Sequence, residues 1–225
     1  MLTIRQEKPE DYRQVEQVVE QAFARAEHTD HDEHNLVARL RGSEAFIPEL
    51  SLVAEQDGRI VGHILFTKLK VGQTTQLALA PLAVHPDFQR QGIGGALIEE
   101  GHRIAAQLGY DYSILLGHPT YYPRFGYQPA SRFGIQSPFD VPDENYMAFD
   151  LSGRHPQMSG QVEYPPQRKT SAGCGFFRDD IERRKRCFRF NPAPASARRR
   201  AWRPHCPKRR RWAAARRQSG GRPAV

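Results

Sequence analysis

One stretch, residues 77–98, constrains the fold more than any other. Leu77-Ala78-Leu79-Ala80-Pro81-Leu82-Ala83-Val84 is an unbroken apolar run, the pattern of a strand covered on both faces. A polar loop, His85 to Gln91, follows it, and glycines then open a helical pattern from Ile93. A helix that starts there leaves its first N–H groups without intrahelical acceptors, and the macrodipole adds positive potential. Gln91 to Gly95 is therefore a place where a phosphate or pyrophosphate meets several donors at once. Gly92 and Gly94 carry no side chain that would hold a ligand off the backbone. Pro81 has no N–H and does not belong inside a fully paired central strand, although its neighbours have central character. A bulge, or a local parting of two strands, reconciles the two observations.

The spacing separates phosphate ligands. A P-loop needs Gly-Lys-Ser/Thr, and the dinucleotide fingerprint sets its first glycine directly at the strand end; neither pattern is present. Gln89-x-x-Gly92-x-Gly94 instead resembles the Gln/Arg-x-x-Gly-x-Gly/Ala signature of the GNAT superfamily of N-acetyltransferases. The resemblance implies that loop and helix hold the pyrophosphate of acetyl-CoA. It also implies that the fourth and fifth strands splay, with the pantetheine arm lying against the backbone of the fourth. The residues so implied in cofactor binding are Leu82, Ala83, Val84, Gln89, Arg90, Gln91, Gly92, Ile93, Gly94 and Gly95. On the glycines alone, a tight strand-to-helix turn that binds nothing is an equal reading.

Leu2 and Ile4 alternate with polar neighbours, as in a first strand. Pro9 opens a helix with Glu10 and Asp11 in its first turn, and Tyr12, Val15, Val18 or Val19, Ala22 and Phe23 recur at helical spacing. A second helix is expected from Glu33 to Arg41, stopped by Gly42. Leu50 to Glu55 and Arg59 to Lys70 read as strands joined at Asp57-Gly58, a strong hairpin signal. Gly72-Gln73 turns the chain into the strand that ends at Val84, and the helix from Ile93 ends at Gly109. Tyr112 to Leu116, Tyr146 to Leu151 and Gln161 to Tyr164 complete the strands. The fold class is α/β, an α+β mixed sheet with about seven strands and about four helices.

A second motif makes the resemblance more specific. Tyr121, Tyr122, Gly126 and Tyr127 match an aromatic-Tyr-x-x-x-Gly-aromatic run that GNAT enzymes commonly carry on a short helix after the fifth strand. Gly117 to Ala130, with Glu49 to Ala54 and Gly62 to Phe66, is similar to the YhbS-like branch of that superfamily, and the likeness extends over nearly all of residues 1–166. It implies an acetyl-CoA-dependent acyltransferase that acts on a primary amine by direct attack in a ternary complex. Tyr122 is then the general acid that protonates the departing thiolate, and backbone at Leu82 to Val84 polarises the thioester. Tyr121 reads as packing. Glu33, His34, His63 and His118 are candidates for the general base, and a water chain can do the same work. His28, His31 and His34 drift around a helix rather than holding an i, i+4 face, so no metal is expected. The rival class is a non-catalytic acyl-CoA-binding or nucleic-acid-associated regulatory protein.

Charge divides the chain. Residues 1–167 carry 14 Lys and Arg against 22 Asp and Glu, whereas 168–225 carry 19 against 3. The expected domains are an acetyltransferase domain, 1–167, and an Arg-rich tail, 168–225, that cannot bury a core. Arg198 to Arg200 and Lys208 to Arg211, interleaved with Trp202 and Trp212, suit nucleic acid. The same text also reads as translation out of the natural frame. Cys174, Cys187 and Cys206 all lie in the tail without metal or disulfide spacing. No apolar run reaches the ~20 residues of a membrane span, so a cytoplasmic protein is expected, without membrane partners. The acceptor is a small-molecule or polypeptide amine, nucleic acid is a partner only if the tail is real, and a homodimer is compatible with everything above.

Overall fold

The structure is a computed structural model and describes residues 1–26 and 31–168. In chain order its strands are β1 (Leu2–Gln6), β2 (Phe46–Gln56), β3 (Arg59–Val71), β4 (Thr74–Val84), β5 (Tyr112–Leu116), β6 (Gln128–Pro129), β7 (Ile135–Gln136), β8 (Tyr146–Asp150) and β9 (Gly160–Glu163). Its α-helices are α1 (Tyr12–Phe23), α2 (Glu33–Arg41) and α3 (Ile93–Gln107). The sheet runs β1-β2-β3-β4-β5-β8-β6, with β9 on the far end of β3 and β7 beside β9. Asp57 and Gly58 take φ of 51° and 78°, the backbone that a two-residue hairpin between twisted strands requires. β4 and β5 are parallel, linked through α3; all other pairs along the main path are antiparallel.

The expected mixed sheet is present. The short helix anticipated after the fifth strand is a 3-10 turn, Tyr122–Phe125, so the described residues hold three α-helices rather than about four. Nine strands replace about seven because β6 and β7 have two residues each, too few to leave a period in sequence. β2 starts at Phe46 rather than Leu50: Pro48 falls where the register with β3 shifts, between Phe46 and Ser51, so its missing N–H interrupts no ladder.

Two layers cover the centre of the sheet. Val15, Val19, Val37 and Leu40 of α1 and α2 pack on Val53, Leu65 and Ala83 of one face. Leu97, Ile98 and Ala105 of α3 pack on Leu52, Ile64 and Phe66 of the other. Each such fully buried Leu or Ile contributes about 1.5–3 kcal/mol relative to exposure. α2 is also tied to the end of β1 by a buried ion pair. The Arg41 guanidinium donates to both Glu7 carboxylate oxygens and lies 4.1 Å over the Tyr12 ring. Ser51 donates to Glu7 at 2.6 Å, and His63 Nε2 lies 3.2 Å from the same Ser51 hydroxyl.

Candidate active site

The site begins as a defect in the sheet. β4 and β5 pair only at Leu77–Ser113 and Ala78–Ile114, and beyond those residues the strands part. The β3–β4 register steps from Phe66–Leu79 to Ile64–Leu82, so β4 carries one extra residue at Ala80-Pro81. This is the bulge that Pro81 demanded. It changes the side-chain parity of β4, so Leu82 and Val84 join the α3 face while Ala83 joins the α1/α2 face.

Backbone direction follows from the same register. His85 N–H donates to Val61 O at 2.9 Å, so the next hydrogen-bonded pair along the ladder is Ala83–His63. Ala83 therefore points its N–H and C=O at β3, while those of Leu82 and Val84 face the gap. Val84 C=O already accepts the Gln89 side-chain amide at 3.1 Å, which ties the loop to the strand end.

Opposite the gap lies the N-terminus of α3. Its N-cap is Gly92, with φ of 86° and no side-chain cap, and its first intrahelical bond runs from Ala96 N–H to Gly92 O. The N–H groups of Ile93, Gly94 and Gly95 are thus left for an outside acceptor. No acidic residue occupies the first turn to compete for that potential. A cavity of about 1180 Å³ joins these parts. It is lined from the α3 side by Gly92 to Ala96 and Glu99, and from the α1/α2 side by Phe23, Asp32, Glu33 and Leu36. Because α3 and α1/α2 cover opposite faces, the cavity passes through the sheet at the parted strands.

Tyr122 stands on the cavity wall beyond β5. Its half-buried ring lies so close to Gly117 that a Cβ there would come within 2.3 Å of it. Its edge meets the rings of Tyr121 at 5.0 Å and Tyr127 at 5.7 Å. Burial, reinforced by Tyr121, pushes the Tyr122 phenol above its ordinary value, so it holds its proton at neutral pH. Tyr127 is raised as well, chiefly by burial, and meets Ser113 Oγ at 2.7 Å and His102 Nε2 at 2.9 Å.

Residues 48–129 match the family described as acetyltransferase (GNAT) domain. The chain is 36% identical over 148 residues to the uncharacterised N-acetyltransferase YjhQ of Escherichia coli K12, covering 62% of this chain and 82% of that protein. The chain belongs to the GNAT acetyltransferase family. It is also 34% identical over 126 residues to the uncharacterised N-acetyltransferase YhbS of the same organism, covering 51% of this chain and 71% of that one. Among solved structures, a GNAT family acetyltransferase from Brucella melitensis in complex with acetyl-CoA is 32% identical with a TM-score of 0.62, covering 74% and 97% of the two chains. E. coli YhbS in complex with CoA is 26% identical with a TM-score of 0.70, covering 77% and 95%.

In this GNAT enzyme the cavity lining includes Leu82, Val84, Gln89, Arg90, Gly92, Ile93, Gly94, Gly95 and Tyr122. Ala83 and Gln91 are outside it: Ala83 faces the other way, and Gln91 donates its side-chain amide to Asp87 O. Of the four base candidates, Glu33 and His118 line the cavity. His63 is fully buried within β3, and burial with Arg41 nearby lowers its pKa to about 3. His118 Nδ1 accepts from Thr120 N–H at 3.4 Å, which places the proton of the neutral ring on Nε2. Among the described residues no three His, Cys, Asp or Glu converge as metal ligands; His28 and Asp30 lie outside the described residues.

Sequence reasoning read Tyr121 as packing without naming what it packs on. A Cβ on Gly94 would lie 2.6 Å from its hydroxyl, so the phenol rests on the α3 N-terminus. Arg124 stacks 4.6 Å over the same ring. Phe139 and Tyr164, also on the wall, lie in sequence without a motif; Tyr164 was legible only as the end of the last strand.

Proposed function

We propose that this GNAT enzyme transfers the acetyl group of acetyl-CoA to a primary amine by direct attack within a ternary complex, with Tyr122 as general acid. The pyrophosphate sits at the N–H groups of Ile93, Gly94 and Gly95, with Gln89, Arg90 and Gly92 shaping the loop. The pantetheine arm follows Leu82 and Val84 into the gap. There the neutral amine attacks the thioester carbonyl, whose developing oxyanion meets backbone N–H of β4. The C–S bond breaks, the Tyr122 hydroxyl gives its proton to the CoA sulfur, and the amine nitrogen gives up its own proton to the base or to water.

The observation that carries this reading is the through-sheet cavity, which sets helix donors, parted-strand backbone and a protonated phenol on one continuous surface. Residues 1–167 are proposed as the whole acetyltransferase domain, acting in the cytoplasm on a small-molecule or polypeptide amine. The Arg-rich tail lies, from residue 169 on, outside the described residues, and so does any nucleic-acid role for it.

Calorimetric titration of the full chain with acetyl-CoA, followed by CoA release in an amine screen, tests the proposal. Tyr122→Phe should keep acetyl-CoA affinity and lose turnover by about 10²-fold or more. Wild-type activity should hold on the alkaline side past the ordinary phenol value of ~10, because the Tyr122 pKa is raised. Wild-type turnover by Tyr122→Phe across pH would remove the general-acid role. Acetyl-CoA binding without acetylation of any amine would favour a non-catalytic acyl-CoA-binding protein.

A further inference from the structure

Tyr121 brings a polar group to the cavity wall that the reaction above does not use. Its side chain is half-buried and lines the cavity. Among the described residues nothing hydrogen-bonds to its hydroxyl: Arg124 Nε donates to the Tyr121 backbone oxygen at 3.2 Å, and the phenol is left over. The ring is nevertheless fixed. It meets the Tyr122 ring at 5.0 Å with planes 84° apart and the Phe125 ring at 5.3 Å, and the Arg124 guanidinium lies 4.6 Å over it. Packing, and not a hydrogen bond, therefore sets where the hydroxyl stands.

That place is the start of α3. The hydroxyl is 2.6 Å from the point a Gly94 Cβ would occupy, and the other atoms nearest that point are methyl carbons of Leu82 and Val84, each at 3.8 Å. Cα–Cβ bonds tilt toward the N-terminus of a helix. The hydroxyl thus lies toward the end of α3 where the N–H groups of Ile93, Gly94 and Gly95 are open, and no acidic residue stands in that first turn. Burial raises the Tyr121 phenol, so the hydroxyl keeps its proton. Donors gather here without an acceptor. Each costs free energy while it is unpaired, and one anion with several oxygens satisfies them together through charge-assisted bonds.

Building on the reading above, which sets the cofactor pyrophosphate at these N–H groups, we propose that Tyr121 is a further cofactor-binding residue whose hydroxyl donates to a pyrophosphate oxygen of acetyl-CoA. The turn that carries Tyr122 is then in direct contact with the cofactor.

The test is calorimetric titration of the full chain and of Tyr121→Phe with acetyl-CoA, together with 31P NMR of both CoA complexes, which reads the pyrophosphate and the 3′-phosphate separately. Tyr121→Phe should raise the acetyl-CoA Kd by about tenfold or more. It should move the pyrophosphate resonances and leave the 3′-phosphate resonance in place. Because the hydroxyl has no partner in the protein, the variant keeps the ring packing and should match the wild type in urea denaturation. An unchanged Kd, a raised Kd with unmoved pyrophosphate resonances, or affinity lost together with urea stability overturns the proposal and leaves the acetyl-CoA reading intact. Absence of acetyl-CoA binding by the wild-type chain overturns that reading, and this proposal with it.

Discussion

Two glycines of one motif do different physical jobs. Around Gly92 nothing lies within 4 Å of an added Cβ, but its φ of 86° is a left-handed backbone that alanine adopts at a cost of about 1–2 kcal/mol. Gly94 has helical backbone and no room, because a Cβ would meet the Tyr121 hydroxyl at 2.6 Å. Gly92→Ala should therefore lower stability whatever stands at residue 121. Gly94→Ala should be coupled to Tyr121, with Tyr121→Phe relieving about 0.5–1 kcal/mol of its cost in a double-mutant cycle. Urea denaturation of the four proteins measures the coupling, and strict additivity would show that the phenol does not rest on Gly94. The motif was readable because its three fixed residues fall within a window of six. The seat of Tyr121 on Gly94 was not, because the contact joins segments 27 positions apart in sequence.

At the scale of elements, what was legible is what repeats. The hairpin at Asp57-Gly58, the parity change at Pro81 and the glycine-opened helix after a buried strand each leave several agreeing residues in a short window. His63 shows the limit of reading residue by residue. As a histidine it is a base candidate, yet it sits inside a run buried on both faces, and its position was the better guide. The Glu7–Arg41 tie was invisible because its partners are 34 residues apart and neither belongs to a motif. It holds α2, and with it the acidic end of the cavity, against β1. Arg41→Met should cost about 3–5 kcal/mol by leaving the Glu7 carboxylate buried without its cation. Adding Glu7→Gln should recover part of that loss in chemical denaturation. A double variant as unstable as the single would show that packing of the Arg41 stem over Tyr12, and not charge, fastens the helix.

For the whole molecule, two buried histidines set the response to acid. Burial lowers His102 to about 4, where it stacks on Phe149 at 4.1 Å, and burial with Arg41 lowers His63 to about 3. In the unfolded chain both titrate near the ordinary value of ~6.5. Below that pH the unfolded state binds protons that the folded state refuses, so stability is lost as pH falls from about 6.5 towards 4. Each group contributes a slope approaching about 1.4 kcal/mol per pH unit in that window, and together about twice that. The carboxylates held low by partners, Asp11 by Arg5 and Asp150 by Ser152 and neighbouring N–H groups, lose their contribution only below their unfolded value of 3.8. The two effects are therefore separable on the pH axis. Urea unfolding at pH 7, 6 and 5 should show a steep loss while Asp11 and Asp150, held low by their partners, still contribute. His102→Gln should remove about half of the slope without abolishing it, since His63 remains. A stability that stays flat between pH 7 and 5 would mean that both rings can take a proton in place, and that the core on both sides of the sheet is open to water.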